Sequence, residues 1–217
     1  MSVMTFFSIN DILRLEVDMK KINKIKRIIG IIIFALIVVI GIYLVLVILP
    51  NKSKNITPKE MEKIKFDYIL YQRDKTIYKD IYNELKAELN KESIDYNKYA
   101  ELISKLFIVD FYTLSNKISK EDVGGVQFVK DEIKDNFILN AQNTIYKYVG
   151  ISNTETLEVS SIELSNISEY NYKIEDKSYA GYEINLKWEY KKDLGYDKEG
   201  TIYVVKEGEK LVIVEKK

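Results

Sequence analysis

The chain has 217 residues with 33 basic and 33 acidic side chains, so its formal net charge is zero, and it contains neither cysteine nor histidine. Without these two residue types it cannot form a disulfide, a thiolate nucleophile, a Cys/His zinc site or a serine–histidine–acid triad. The chemistry that remains is that of carboxylates, lysines, tyrosines and hydroxyls.

The first predicted element is a transmembrane helix over residues 28–50. Ile28 to Leu49 is an uncharged apolar run that ends at Pro50. At a rise of about 1.5 Å per residue, this run spans about 30 Å, the thickness of a hydrocarbon core. It is longer than the apolar region of a signal peptide, which has about 7–15 residues, and no small-x-small cleavage site follows it. We therefore expect an uncleaved anchor.

The residues before this run predict its orientation. Residues 1–27 hold six basic and three acidic side chains, and five of the basic ones lie between Lys20 and Arg27. A basic flank marks the cytoplasmic side of a membrane span. We therefore expect a single-pass protein of the cell membrane with a short cytoplasmic leader, a linker at 51–56 and an extracytoplasmic domain at 57–217. Because Met19 opens an ordinary basic leader, it is predicted as the biological start in place of Met1.

The charge of the C-terminal part limits its partners. If the leader carries six of the 33 basic and three of the 33 acidic residues, the 167 residues after Pro50 carry 27 basic and 30 acidic ones. A weakly acidic domain lacks the basic surface that nucleic acid requires. The predicted partners are therefore the membrane and other envelope proteins, with a homo-oligomer left open and nucleic acid excluded.

Helical patterns occupy the first part of this domain. Thr57-Pro58-Lys59-Glu60 combines an N-cap, a proline at the first helical position and a capping-box glutamate. Apolar residues then recur at helical spacing, which predicts one long helix or two over Pro58 to Leu89. A second helix is predicted around Tyr99 to Phe111. A third is predicted over Val129 to Val149, with Gly150 as its left-handed C′ residue.

From Thr156 the apolar period changes to two, which is typical of strands. The predicted strands contain Leu157/Val159, Tyr170/Tyr172/Ile174, Ile184/Leu186/Trp188/Tyr190, Ile202/Val204 and Leu211/Ile213. The predicted turns between them are Ser165-Asn166, Glu175 to Ser178, Asp193 to Gly200 and Glu207 to Glu209. We therefore expect an α+β domain in which about three helices pack on a curved, cone-like antiparallel sheet of four to five strands.

This element order resembles the cone-shaped nuclear-transport-factor-2-like fold. A single N-terminal anchor before such a domain is similar to the inner-membrane assembly factors of type IV secretion and conjugation machines. The block from Phe107-Ile108-Val109-Asp110-Phe111-Tyr112 through Asp122-Val123-Gly124-Gly125-Val126-Gln127-Phe128 resembles membrane proteins of low-GC anaerobic bacteria. The resemblance covers the layout of residues 28–217 and no functional residue is carried over from it. The fold hosts enzymes, ligand binders and scaffolds, so it does not decide the function.

Asp110 is the first candidate site residue. It lies one helical turn after Leu106, between Val109 and Phe111, so part of it faces apolar neighbours. A carboxylate in that position could act as a base beside a tyrosine, as in some enzymes of this fold. The alternative is a structural carboxylate that pairs with a lysine or caps a loop.

The aromatic residues of the predicted sheet form the second candidate. Trp188, Tyr190 and Tyr172, together with Asp110, could line a ligand pocket between the sheet and the helices. The alternative is that these side chains pack in the core, which is the usual fate of large aromatic residues.

Two further patterns have structural alternatives. Gly124-Gly125 suggests a phosphate cradle, but no Gly-Lys-Ser/Thr follows it, so a turn before a helix is the alternative. Asp131, Glu132 and Asp135 could contact a divalent cation, but they lack calcium-loop spacing and are also explained as a solvated helix face. No motif predicts a metal or a cofactor.

Taken together, these patterns favour a non-catalytic, membrane-anchored extracytoplasmic module. Its expected role is protein interaction, as a scaffold within a cell-envelope or secretion-type assembly. The alternative function is a sensor or carrier that holds a small ligand in a pocket between helices and sheet. A third hypothesis is an enzyme that depends on the carboxylate of Asp110.

Overall fold

The computed structural model describes residues 35–40, 58–150, 156–174 and 176–217. Its internal contacts divide the chain into two units, Met1–Ile56 and Thr57–Lys217. In the first unit, residues 35–40 are helical and exposed, and the rest of the predicted anchor lies outside the described residues, as do Met19 and the linker. Within the part of the chain that the structure describes, no helix is long and apolar enough to span a membrane.

The second unit is an α+β domain, as predicted. Its elements are β1 (Glu60–Lys63), β2 (Ile69–Tyr71), α1 (Thr76–Leu89), α2 (Tyr96–Tyr112), α3 (Asp131–Asn143), β3 (Val159–Ile174), β4 (Lys177–Tyr190), β5 (Glu199–Glu207) and β6 (Lys210–Lys216). Strands β3 to β6 form one antiparallel sheet in sequence order, and β1 and β2 form a separate antiparallel pair. The predicted meander of consecutive strands is therefore confirmed.

Helix α2 lies at the centre of the core. Asp95 caps its N-terminus, because its carboxylate accepts hydrogen bonds from the amides of Asn97 (2.9 Å) and Lys98 (3.2 Å). The apolar residues of α2 surround the helix and are almost fully buried. Its most buried members are Tyr99, Ala100, Leu102, Ile103, Leu106, Ile108 and Val109. A helix that is apolar on most sides must be covered on most sides, and α2 packs against both α1 and the sheet.

The face of the sheet toward the helices is built by alternation. On β4, the even-numbered residues from Tyr182 to Tyr190 are buried, whereas Lys187 and Glu189 are exposed. Successive side chains of a strand point to opposite faces. The period of two in the sequence therefore reports one buried and one solvated face, as predicted.

The predicted turn at Ser165-Asn166 is wrong. Strand β3 continues through it for 16 residues, and the pairing shifts from Leu164 opposite Leu186 to Asn166 opposite Asn185. Ser165 is the extra residue of a β-bulge, which bends a strand without ending its ladder. The two strands predicted on either side of this position are therefore one strand, and the sheet has four strands.

The predicted helix from Pro58 is wrong before Thr76. Strands β1 and β2 form a hairpin there, and its turn places Phe66 and Asp67 at φ 64° and 63°. The spacing of apolar residues in this segment mimics a helix. Contacts with distant residues stabilise the strands instead, because the Ile69 amide donates to Gln127 Oε1 over 2.7 Å.

The third helix is shorter than predicted. It covers Asp131–Asn143, whereas Val129 forms a parallel bridge with Ile213 of β6. Turns follow the helix up to Gly150, which has φ 85°. Gly150 thus has the predicted left-handed conformation, but it ends a series of turns in which Tyr146 is fully buried.

Candidate functional site

Asp110 lies in the last turn of α2, and both of its carboxylate oxygens have partners. Oδ2 accepts a hydrogen bond of 2.6 Å from the Gly125 amide. Oδ1 forms an ion pair with the ammonium group of Lys117, whose side chain is 1% exposed. The carboxylate therefore pairs with a lysine and closes a loop, which is the structural alternative foreseen from the sequence.

A second ion pair lies beside the first. The guanidinium group of Arg73 binds the carboxylate of Asp122 with two hydrogen bonds, one of them 2.6 Å from Nη2 to Oδ1. Burial acts to raise the pKa of Asp122, but the hydrogen bonds from Arg73 and from the Ile118 amide, together with the charge of Arg73, bring it below its usual value. This pair joins the segment after β2 to the loop after α2.

Asp74 is the remaining acid of this region, and it differs from the other two. It is 6% exposed, and its Oδ2 accepts a hydrogen bond of 2.7 Å from the Tyr71 amide. Burial raises its pKa to about 6, and the nearby negative charge of Asp110 adds to the effect. We call Arg73, Asp74, Asp110, Lys117 and Asp122 the buried charge cluster.

The Gly124-Gly125 turn serves this cluster. A Cβ atom at Gly124 would lie 2.2 Å from the backbone oxygen of Asp110, so only glycine permits this approach. The Gly124 amide donates to the Tyr146 hydroxyl over 2.9 Å, and Gly125 has φ 76°. Both amides thus bind groups of the protein itself. The pair forms a turn before a 3₁₀ helix at Val126–Phe128, in agreement with the structural alternative.

Trp188 and Tyr190 lie in the core. Trp188 is 2% exposed and stacks on Tyr112 at a centroid distance of 5.5 Å. Its indole N–H donates to the Tyr190 hydroxyl (2.8 Å), which in turn donates to the backbone oxygen of Asp197 (2.9 Å). The polar atoms of both side chains are therefore satisfied within the protein, as buried tyrosine and tryptophan require.

Tyr172 lies on the other face of the sheet. It pairs with Tyr179 of β4, whose odd-numbered residues face away from the helices. Its hydroxyl donates to the Glu215 carboxylate over 2.8 Å, and its ring contacts Tyr203 at 5.5 Å. Burial and the charge of Glu215 raise its pKa to about 12. The structure therefore does not bring Tyr172 together with Trp188 and Tyr190, and Asp110 lies in the separate buried charge cluster.

The acidic residues of α3 are exposed. Asp131 pairs with Lys134 (2.5 Å) and Glu132 pairs with Lys130 (2.8 Å). Within the described ranges, no group of three acidic residues has an arrangement that could hold a metal ion. The solvated-face interpretation accounts for these side chains.

Sequence reasoning missed an open groove of about 530 Å³ between α1, α2 and the start of β3. We call it the edge groove. Its apolar walls are formed by Ile77, Ile81, Leu102 and Ile162. The α1 and β3 walls are about 80 residues apart in sequence, so no local pattern predicts that they face each other.

The polar rim of the edge groove is acidic on the α1 side. Asp80, Glu84 and Lys105 line this rim. Lys105 is neutralised by Glu101 at 2.5 Å and Glu84 pairs with Lys98 at 3.3 Å. Asp80 has no ion-pair partner among the described residues. The groove thus presents one unneutralised carboxylate.

Comparison with known proteins does not assign the chain to a family. No protein-family model, no curated protein and no solved structure matches it.

Proposed function

We propose that the chain is a membrane-anchored extracytoplasmic module that binds other envelope proteins and has no catalytic activity. The apolar run from Ile28 to Leu49 and the basic residues before it support the anchor and its orientation. In this proposal the domain at 57–217 works outside the cytoplasm, as a scaffold in a cell-envelope or secretion-type assembly.

One observation carries the non-catalytic part of the proposal. The polar atoms of the candidate site residues have partners within the domain. Asp110 binds Lys117 and Gly125, while Trp188 and Tyr190 bind each other in the core. A catalytic carboxylate must reach a substrate proton, and Asp110 would first have to give up the Lys117 ion pair. An open surface is present instead at the edge groove and along strand β3, which is an edge of the sheet.

The proposal also includes the shape of the domain. Three helices precede a four-stranded antiparallel meander, and a bulge bends its longest strand. This order supports a cone-like domain of the nuclear-transport-factor-2-like kind, with a layout similar to type IV secretion assembly factors. The role proposed for this chain is that of a single-pass subunit that binds partners at the membrane.

The proposed topology is tested with single cysteines, because the chain has none of its own. Glu92→Cys lies on an exposed turn of the domain, and Lys20→Cys lies in the leader. A membrane-impermeant maleimide applied to intact cells should label the first variant and not the second. After lysis both should react. Labelling of Lys20→Cys alone in intact cells would reverse the orientation.

The proposed interaction is tested by crosslinking in cells before solubilisation in detergent. The expected result is a reproducible crosslinked species that contains this chain and a second envelope protein. The control variant combines Asp110→Asn with Lys117→Met, so that no buried charge is left unpaired, and it should keep its fold and form the same species. Recovery of a monomer without a reproducible partner would contradict the proposal, and loss of the species in the folded control variant would assign Asp110 a role in binding the partner.

A small-ligand carrier remains the second candidate function. The observation in its favour is a groove of about 470 Å³ in the sheet. Its lining includes Lys187, Trp188 and Glu189 of β4. Because Trp188 is the only tryptophan, a bound apolar ligand should change its fluorescence. An unchanged emission spectrum during titration with small apolar ligands would count against the carrier.

A further inference from the structure

The two edges of the main sheet are unequally protected. Strand β6 has partners on its outer side, since the Lys130 amide donates to the Ile213 oxygen over 2.9 Å and Val129 forms a bridge with Ile213. The hydroxyls of Tyr68 and Tyr99 bind the backbone oxygen and amide of Leu211 at 3.1 and 3.3 Å. Side chains and a neighbouring segment therefore satisfy this edge.

Strand β3 forms the other edge, and only its start is covered. The Val159 amide donates to Thr113 Oγ1 at 3.3 Å. Beyond Val159, no strand pairs with the outer side of β3 in the part of the chain that the structure describes. An edge strand directs half of its backbone N–H and C=O groups away from its neighbour, where another strand can bind them.

The length and composition of β3 make this edge suitable for pairing. It has 16 residues, whereas strands usually have about 3–10. It contains no proline, and its single lysine, Lys173, lies next to its end. Proteins usually protect long edges with prolines, charged side chains or β-bulges. Bulges at Ser160 and Ser165 interrupt the pairing of β3 with β4, and the register is regular from Ser161 to Leu164 and from Asn166 to Ile174. The regular segment beside the edge groove therefore runs from Ser161 to Leu164.

The edge groove lies beside this regular segment. Ser160, Ser161 and Ile162 contribute to the groove, and α1 forms its opposite wall. An ion pair of 3.3 Å between Lys75 and Glu158 fixes the start of α1 beside the start of β3. A sheet edge that faces a helix across an apolar groove is a known arrangement for peptide recognition by strand addition, in which backbone hydrogen bonds give affinity and the groove selects side chains.

We propose that the edge groove binds an extended segment of a partner protein, which adds to the sheet as a fifth strand beside β3 and carries a basic residue next to apolar ones. The proposal rests on the interaction function proposed above and names the chemistry of its partner. The apolar residues of the segment contact Ile77, Ile81 and Ile162. Its lysine or arginine binds the Asp80 carboxylate, the rim charge that no cation of the described domain neutralises.

Charge complementarity selects this occupant over an acidic segment. The rim carboxylates Asp80 and Glu84 lie on α1, and the rim cation Lys105 is already paired with Glu101. A basic side chain in the groove gains an ion pair with Asp80, whereas an acidic side chain meets like charge. Like charges placed together at an interface disfavour binding and so give specificity.

The test uses the full chain in lipid nanodiscs and two fluorescein-labelled heptapeptides. The basic probe is Lys-Ile-Thr-Ile-Thr-Ile-Lys, and the acidic probe has glutamate at both ends. Fluorescence anisotropy should show binding of the basic probe and binding at least about tenfold weaker for the acidic probe. Asp80→Lys should reverse this order. The matched control Glu92→Lys, on an exposed turn away from the groove, should leave both affinities unchanged.

Backbone methylation tests strand addition without changing the protein. Two versions of the basic probe carry N-methyl groups on alternate residues, one on the even and one on the odd positions. Because only one set of amides can face β3, one version should bind like the parent and the other should lose binding. Equal effects on both versions, or no binding of the basic probe, would overturn the proposal.

A further arm separates this inference from the proposed function. If crosslinking recovers an envelope partner while the basic probe does not bind, the interaction function holds and the strand-addition site is wrong. Ser160→Cys also tests a second copy as the occupant. A disulfide-linked dimer at this position under mild oxidation, in competition with the probe, would assign the groove to another copy of the chain and overturn the proposed partner.

Discussion

Replacing Asp74 by asparagine should stabilise the protein at neutral pH, and the gain should shrink as the pH is lowered. The side chain is 6% exposed, and burial raises its pKa to about 6 from an ordinary value of 3.8. The ionised form is therefore disfavoured in the folded protein relative to the unfolded chain. Asparagine keeps an oxygen for the Tyr71 amide and removes the charge.

The direction in which stability changes with pH follows from proton binding. Between pH 3.8 and 6 the folded protein holds a proton on Asp74 that the unfolded chain has lost, so stability falls as the pH rises through this window. A difference of about two pKa units corresponds to about 3 kcal/mol at pH 7, and to about half of that at pH 5. The original protein should therefore gain about 1 kcal/mol relative to Asp74→Asn when the pH falls from 7 to 5.

Other buried acids act outside this window. Burial opposes ionisation of Glu158, but ion pairs that include Lys191 lower its pKa to about 2, and the pKa of Asp122 is also lowered. Groups with lowered folded pKa values stabilise the protein fully above their unfolded values of 4.5 and 3.8, and lose this contribution only in more acidic solution. The interval from pH 5 to 7 thus isolates Asp74.

The assay is urea unfolding of the full chain, followed by the fluorescence of Trp188, which is the only tryptophan and is 2% exposed. Measurements at pH 5, 6 and 7 and constant ionic strength give the free energy of unfolding for the original protein, for Asp74→Asn and for the exposed control Glu92→Gln. The reasoning is refuted if Asp74→Asn is less stable than the original protein at pH 7. It is also refuted if the two proteins depend on pH in the same way.

The same unfolding assay checks two further substitutions. Lys117→Met should cost about 3 kcal/mol, because it leaves the Asp110 carboxylate buried without its cation; the double variant with Asp110→Asn should recover part of this loss, and simple additivity would contradict the pairing. Gly181→Ala should cost several kcal/mol, because its Cβ atom would lie 1.9 Å from the Val204 oxygen. Gly195→Ala, which has φ 78° and open space around it, should cost only about 1–2 kcal/mol.

The spacing of apolar residues predicted the structure correctly in elements whose structure depends on burial alone. Helix α2 is apolar on most of its surface because it is covered by α1 and by the sheet, and its predicted extent from Tyr99 to Phe111 lies within the observed helix. The even-numbered residues of β4 alternate with solvated ones because only one face of the sheet is covered. In both elements the spacing of apolar residues in the sequence follows from which side chains contact the core.

The spacing of apolar residues gave wrong predictions where residues far away in the sequence form hydrogen bonds with the backbone or with neighbouring side chains. Strands β1 and β2 depend on the side chain of Gln127 and on Tyr68, whose hydroxyl reaches the Leu211 oxygen at 3.1 Å. Val129 forms a bridge with Ile213 of β6 and is not part of the helix that follows it. The kind of partner for Asp110, a lysine or a loop amide, followed from its chemistry. Its identity as Lys117 and Gly125 depends on the turn at Gly124, which only the fold defines.

The aromatic residues of the predicted pocket lie on opposite faces of the sheet for a single structural reason. Ile162 and Leu164 face the helices together with Trp188 and Leu186, their partners on β4. If β3 continued regularly, its even-numbered residues would stay on that face and Tyr172 would point toward the core. The extra residue in the bulge reverses the alternation, so Tyr172 pairs with Tyr179 on the solvated face and binds Glu215 there. A shift of one residue moves every later side chain to the opposite face, and the composition of this strand gives no sign of where the shift occurs.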